Sequence, residues 1–198
     1  MTNFIIKKFI KNYEDVNDSK VRESYGTISS ITGIITNALL SISKIITGIL
    51  FNSVSVLADG INNLSDGASS VITLIGFKIS GKPADKNHPF GHARMEYLTG
   101  LILGTAVLLV GVELIKSSYN KIINPVKTVF SVEMTAVLII SILVKLWLSS
   151  FYNKLGCKIS SATIKAAGAD SRNDVAATAV VLLSVFISRF TGYEIDGY

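Results

Sequence analysis

The sequence predicts an all-α membrane protein, built as a bundle of about five transmembrane helices. Charged residues make up 17% of the 198 residues, below the roughly 25% of typical soluble proteins, while apolar residues reach 49%. The mean hydropathy of +0.49 also favours a membrane environment. Five windows come close to the about 20 mostly apolar residues that a helix needs to cross a bilayer core of about 30 Å.

Residues 26–198 contain these windows and form the predicted transmembrane domain. Residues 1–25 are mixed in charge, lack the apolar region of a signal peptide and are predicted to form a cytoplasmic amphipathic lead-in. The third and fourth windows are the cleanest, because the runs LILGTAVLLVGV and MTAVLIISILV carry no charge. Polar and charged residues interrupt the second and fifth. In order, the windows cover residues 26–51, 54–77, 97–118, 129–151 and 166–190.

The distribution of Lys and Arg predicts that the N-terminus lies in the cytoplasm. Twelve of these residues fall in the lead-in and around the links that follow the second and fourth windows, against four on the opposite side. Basic residues concentrate on the cytoplasmic side of membrane proteins. Two further lysines, Lys44 and Lys145, fall inside predicted spans, each towards one end. Their ammonium groups are expected to extend to the membrane surface.

Nucleic-acid binding and cysteine chemistry find little support in the sequence. The formal net charge is +5, but the basic residues lie between apolar segments and form no stripe with interleaved aromatic residues. The single cysteine, Cys157, has no partner for an internal disulfide and no companion at metal-ligand spacing, so we expect no role for it.

Four polar side chains inside the second and fifth windows carry the predicted chemistry. Asn62 and Asp66 are four residues apart and share one helix face, and Asp170 and Asp174 do the same on another span. Ionisable residues at membrane depth are costly and point to a function. If the two faces meet, three carboxylates and an amide carbonyl can bind a divalent cation, and oxygen ligands suit Mn²⁺ better than Zn²⁺. The alternative is that these residues only bond the helices together.

Two charged residues lie beside these pairs. Asp59 is seven positions before Asp66 and faces nearly the same way, about two turns closer to the outer surface, so an ion-exit or structural role is expected rather than a primary ligand. Arg172 lies between the two aspartates of the fifth window but points away from their face. We expect it to pair with an acid on a neighbouring helix.

The link after the second window, SGKPADKNHPFGHARMEY, contains both histidines of the protein. Asp85, His88 and His92 are spaced at intervals of three and four, and two imidazoles with a carboxylate are a familiar transition-metal ligand set. The alternative is a turn fixed by prolines and Gly91, in which the histidines only form hydrogen bonds.

Three motifs follow one another along the chain: SVSVLADGINNLSD in the second window, PADKNHPFGHARMEY in the link and ADSRND in the fifth window. In this order and at these separations they resemble the cation diffusion facilitator family of metal transporters, from the first span through the fifth. The resemblance implies that the four polar residues of the spans form the family's membrane transport site. It also implies that the three link residues form its second, cytoplasmic metal site.

The resemblance further implies efflux of a divalent metal ion, Mn²⁺ in exchange for H⁺, by a secondary transporter rather than an enzyme. Family members with Asn and Asp on one helix and two Asp on the other are associated with manganese, and those with a histidine in the quartet with zinc. Efflux of Zn²⁺ or Fe²⁺ stays open, because geometry and metal availability also set selectivity. The metal is then substrate, and no tightly bound cofactor is expected.

Members of this family have six spans, a soluble C-terminal domain and a homodimeric assembly, here expected in a prokaryotic cell membrane. The sequence stops at Tyr198, where the sixth span would begin, so we expect a fragment of a longer protein or a natural truncation. A non-transporting metal-binding membrane fragment, such as a sensor or a structural subunit, is the second candidate. A membrane enzyme is disfavoured because no nucleophile and base pair is evident, although the link cluster could hold a hydrolytic metal.

Overall fold

The structure, a computed structural model, describes residues 6, 8–10, 13–51, 53–86, 88–123 and 131–191. These residues form five long helices, which confirms the predicted all-α bundle. Much of the lead-in, the first residues of the fourth window and residues 192–198 lie outside the described residues. The helices are α1 (Ser19–Leu50), α2 (Val54–Ser80), α3 (Met95–Ile123), α4 (Val132–Lys158) and α5 (Ala162–Thr191).

The helices extend beyond the predicted windows. Helix α1 begins inside the predicted lead-in, where Asp18 caps it by accepting a 2.8 Å hydrogen bond from the Lys20 amide. Helix α4 continues to Lys158, seven residues past the predicted end of its window. The windows report only the apolar part of each helix, whereas hydrogen-bonded turns continue into the polar zone at the membrane surface.

One end of the bundle is held together by polar contacts between four helices. Arg22, in the second turn of α1, donates to the Ile159 carbonyl after α4 at 2.5 Å and pairs with Glu96 of α3 at 3.0 Å. Thr163 of α5 donates to the Glu96 carbonyl at 3.0 Å. These contacts bring the starts of α1, α3 and α5 beside the end of α4, as alternating helix directions require. We call this the Arg22 end.

Small residues set how closely neighbouring helices approach. Helix α1 packs against α2, where a Cβ atom on Gly48 would lie 2.8 Å from the Leu57 backbone nitrogen. Ser41 of α1 also donates to the Gly60 carbonyl of α2 at 2.8 Å. In the α4–α5 pair, Ser149 donates to the Gly168 carbonyl at 2.7 Å. Both pairs therefore use small residues to bring two backbones together, as membrane helices do.

Apolar residues close both ends of the bundle around a polar middle. At the Arg22 end, buried aromatic and aliphatic side chains pack together, among them Tyr25 and Phe77. At the opposite end, Val56 packs with Met134 and Leu138. The buried residues between these two layers are mostly serine, threonine, asparagine and lysine. The sequence-predicted site lies in this polar middle layer.

The outer surface of the bundle is apolar. Large aliphatic side chains such as those of Leu39, Leu101 and Leu143 are more than half exposed. Among the described residues, α1 and α4 are long and apolar enough to cross a membrane. A polar interior with an apolar exterior is the arrangement that lipid, rather than water, stabilises.

Candidate metal site

The structure brings the four predicted residues of α2 and α5 together. Asp66, Asp170 and Asp174 each offer a carboxylate oxygen, and these atoms all lie within 4.8 Å of one another. Asn62 donates from its side-chain nitrogen to Oδ1 of Asp174 at 3.0 Å. The two pairs at a spacing of four residues thus face each other across the α2–α5 contact. We call these four residues the carboxylate cluster; that it binds a metal stays a prediction.

Lys145 of α4 forms part of the same contact network. Its Nζ atom lies 2.6 Å from Oδ2 of Asp66 and 2.6 Å from Oδ2 of Asp174, and its side chain is 1% exposed. The prediction that Lys145 reaches the membrane surface was therefore wrong. Its predicted window ended six residues later, but α4 runs on to Lys158 and places Lys145 at the middle of the helix. From there the surface is out of reach, and pairing with carboxylates is the alternative.

Lys44 is buried as well, again contrary to the prediction. Its side chain is fully buried, and Nζ lies 2.8 Å from Oδ2 of Asp59. Thr178 of α5 donates to the same carboxylate oxygen at 3.1 Å. Asp59 is thus held in an ion pair between α1, α2 and α5, which favours the structural one of its two predicted roles.

A polar cavity adjoins the carboxylate cluster on the side of the Arg22 end. Among its lining atoms, Oγ of Ser30 and Oδ1 of Asn37 are buried and have no hydrogen-bond partner among the described residues. Buried polar atoms of this kind are usually satisfied by water. The cavity could therefore hold about one water molecule beside the carboxylates. Other polar lining residues are Ser29, Asp66, Ser69, Ser70, Thr73, Tyr152, Asp170 and Ser171.

The three predicted link residues also lie together, with Asp85 and His88 exposed and His92 half-buried. Asp85 Oδ1 is 3.2 Å from Nδ1 of His88, and Asp85 Oδ2 is 3.6 Å from Nε2 of His92. Their potential ligand atoms lie within 4.8 Å of one another. The hydrogen-bonded turn is present too, because the His88 amide donates to Asp85 Oδ1 at 2.7 Å and Gly91 has φ +77°. The geometry suits both interpretations of the link, and metal binding there stays a prediction.

Sequence reasoning missed Lys44 and Lys145 as members of the polar layer. The signal was available, since a lysine at membrane depth needs an opposite charge and the neighbouring spans carry several aspartates. Arg172 of α5 is exposed, and the predicted pairing with an acid on a neighbouring helix is not found among the described residues. Cys157 near the end of α4 is an exposed free thiol.

Comparison with known proteins covers most of the chain. Residues 30–198 match the cation efflux transmembrane domain. An uncharacterized transporter of Methanocaldococcus jannaschii is 35% identical over 166 residues, which are 84% of this chain and 59% of that protein. The manganese efflux system protein MneS of Bacillus subtilis is 29% identical over 83% of this chain and 57% of its own length.

A further relative carries a different metal in its name. The cadmium, cobalt and zinc/H⁺–K⁺ antiporter of Bacillus subtilis is 29% identical over 152 residues, which are 77% of this chain and 49% of that protein. The chain thus spans between about half and three fifths of the length of these relatives.

Proposed function

This chain belongs to the family of the cation efflux transmembrane domain, and from that premise we propose that the protein exports Mn²⁺ from the cytoplasm in exchange for H⁺. The observation that carries the proposal is the convergence of three carboxylates and one amide in the polar middle of the bundle. A site between α2 and α5 can open to either side by small movements of these helices. No covalent chemistry is needed for this function.

Manganese is the proposed substrate because the carboxylate cluster offers oxygen ligands without nitrogen or sulfur. Such ligands favour hard cations, and Zn²⁺ more often binds histidine and cysteine. The name of the relative MneS supports the same choice. The relative named for cadmium, cobalt and zinc keeps Zn²⁺, together with Fe²⁺, as the alternative substrate.

In the proposed cycle the cation approaches through the polar cavity, whose hydroxyl groups can replace part of its hydration shell. Asp66, Asp170 and Asp174 then bind it, with the side-chain carbonyl of Asn62 as the fourth ligand. After release on the other side, three carboxylates within 4.8 Å of one another share one ammonium, so negative charge remains, and protons can offset it. Exchange of the metal for protons follows from this charge balance.

The proposal extends to the rest of the assembly. The Arg22 end, with the link residues Asp85, His88 and His92, faces the cytoplasm, and the link cluster is a second metal site there. The complete protein is proposed to act as a homodimer in the membrane.

Transport into inside-out vesicles that carry the full-length protein tests the proposal. We expect Mn²⁺ uptake that depends on a pH gradient and is abolished in the double variant Asp170→Asn/Asp174→Asn. Glu113→Gln is the matched control, because Glu113 is an exposed carboxylate of α3 outside the carboxylate cluster. Uptake that survives the double substitution, or needs no pH gradient, would contradict the exchange mechanism. Mn²⁺ binding without any flux would instead support a non-transporting membrane protein.

A further inference from the structure

Lys145 places a positive charge directly against two of the proposed metal ligands. Its ammonium contacts one oxygen of Asp66 and one of Asp174, each at 2.6 Å. The side chain is 1% exposed, so protein atoms rather than water surround this ammonium. The proposed exchange of metal for protons assigns this ammonium no movement.

A divalent cation bound by the same two oxygens would take nearly the same position. Hard divalent cations lie about 2.0–2.6 Å from their oxygen ligands. The ammonium already lies 2.6 Å from both oxygens. Two positive charges so close together would repel strongly in an interior of low dielectric constant. The ammonium therefore has to leave before a metal ion can bind these oxygens.

Helix α4 offers the ammonium a second position. Ser141 is four residues before Lys145, so the two side chains share one face of α4. Ser141 is 1% exposed, and its Oγ atom has no hydrogen-bond partner among the described residues. Long side chains on a helix point back towards its N-terminus, which is the direction of Ser141. The serine hydroxyl can thus accept a hydrogen bond from the displaced ammonium.

We propose that Lys145 is a tethered counter-ion that competes with the transported cation for Asp66 and Asp174. The ammonium withdraws when the metal binds and returns to the carboxylates when the metal leaves. It therefore lowers metal affinity and speeds release. The inference rests on the proposed function, because it takes these carboxylates as the ligands of the cation.

Equilibrium binding of Mn²⁺ to the full-length protein in nanodiscs, measured by calorimetry at one pH, tests the competition. In Lys145→Gln the competing charge is gone, and the Kd for Mn²⁺ is expected to fall about tenfold. In Lys145→Arg the planar guanidinium pairs more firmly with carboxylates, and the Kd is expected to rise about threefold. In vesicles, Lys145→Gln is expected to lower both the KM and the maximal rate, because release becomes slower.

Lys44→Gln is the matched control, since Lys44 is equally buried and pairs with a carboxylate outside the cluster. Its Kd is expected to change much less than that of Lys145→Gln, because Nζ of Lys44 contacts Asp59 rather than a carboxylate of the cluster. A purely structural Lys145 would instead give weaker metal binding in Lys145→Gln. If the loss of any buried positive charge were sufficient, Lys44→Gln and Lys145→Gln would change the Kd for Mn²⁺ by the same factor.

The inference is overturned if folded Lys145→Gln binds Mn²⁺ no more tightly than the wild type. If Lys145→Gln does not fold, the Lys145→Arg variant is the test. The inference is then overturned if Lys145→Arg binds Mn²⁺ no more weakly than the wild type. If either result is obtained while the wild-type protein transports Mn²⁺, the proposed competition is rejected and the proposed function still stands. A wild type that neither binds nor transports Mn²⁺ overturns both.

Discussion

Two buried lysines form ion pairs in the polar middle layer of this bundle. Lys44 pairs with Asp59, and Lys145 pairs with two aspartates of the carboxylate cluster. A buried pair is tolerated only while both charges are present, because removing one leaves the other without compensation. The two lysines therefore have different roles. Lys44 holds three helices together, whereas Lys145 contacts two of the proposed metal ligands.

Asp59→Asn tests the structural role of the first pair. The substitution leaves the fully buried Lys44 without its carboxylate partner, so we expect the free energy of unfolding to fall by about 3–5 kcal/mol. Denaturant unfolding in detergent micelles measures the change. The double variant Lys44→Gln/Asp59→Asn removes both charges and is expected to recover most of the loss. A single variant as stable as the wild type would show that the pair does not hold the helices.

Asn62→His tests how the carboxylate cluster selects its metal. The imidazole adds a nitrogen ligand beside Asp174, where the amide of Asn62 lies 3.0 Å from a carboxylate oxygen. Because nitrogen suits Zn²⁺ better than Mn²⁺, we expect the ratio of Zn²⁺ to Mn²⁺ uptake to rise about tenfold. Initial uptake rates of both metals give this ratio. An unchanged ratio would place selectivity elsewhere in the protein.

That each pair of the cluster shares a helix face could be predicted from the spacing of four, whereas the meeting of the two faces was implied only by the resemblance to the family. The partners of the two buried lysines could not be predicted. Whether a lysine inside a span reaches the surface depends on where the helix ends, and hydropathy marks only the apolar part of it. In α4 the additional turns up to Lys158 moved Lys145 from the expected edge to the middle.

The helices themselves were predicted in number and order, and the difference lies in their ends. Capping by Asp18 starts α1 at Ser19, seven residues before its window. Such a boundary depends on one side-chain hydrogen bond rather than on hydropathy. Which helices pair closely was beyond the sequence as well, because it depends on which small residues face each other.

Gly48→Ala tests the close contact of α1 with α2. The new Cβ atom would lie 2.8 Å from the backbone nitrogen of Leu57, and a backbone cannot move aside as a side chain can. We expect a loss of about 1–3 kcal/mol in unfolding free energy. Gly104→Ala in α3 is the control, since no described atom lies within 4 Å of its Cβ position, and it is expected to gain up to about 1 kcal/mol. Equal effects of the two substitutions would contradict the packing account.

Orientation in the membrane determines the direction of the proposed transport. The described part of the lead-in, the histidine-containing link and the end of α4 lie at the Arg22 end, and the proposed entry cavity lies towards it. In the proposed topology, which follows the distribution of positive charge, this end faces the cytoplasm. The carboxylate cluster then lies between a cytoplasmic approach and an apolar layer at the opposite end.

Labelling of Cys157 tests this orientation directly. This residue is an exposed free thiol near the end of α4, close to the Arg22 end. A membrane-impermeant maleimide is expected to label it in inside-out vesicles and to leave it unlabelled in right-side-out vesicles. Cys157→Ser gives the background from any other thiol. The reverse labelling pattern would invert the proposed topology and with it the direction of transport.

The position of bound Mn²⁺ tests the central claim most directly. Anomalous diffraction at the manganese absorption edge, from crystals of the full-length protein grown with Mn²⁺, locates the ion without reference to activity. We expect a peak among the carboxylate oxygens of Asp66, Asp170 and Asp174, with Lys145 moved away from them. A manganese peak only at the histidine link, with the ammonium of Lys145 still between Asp66 and Asp174, would contradict the account.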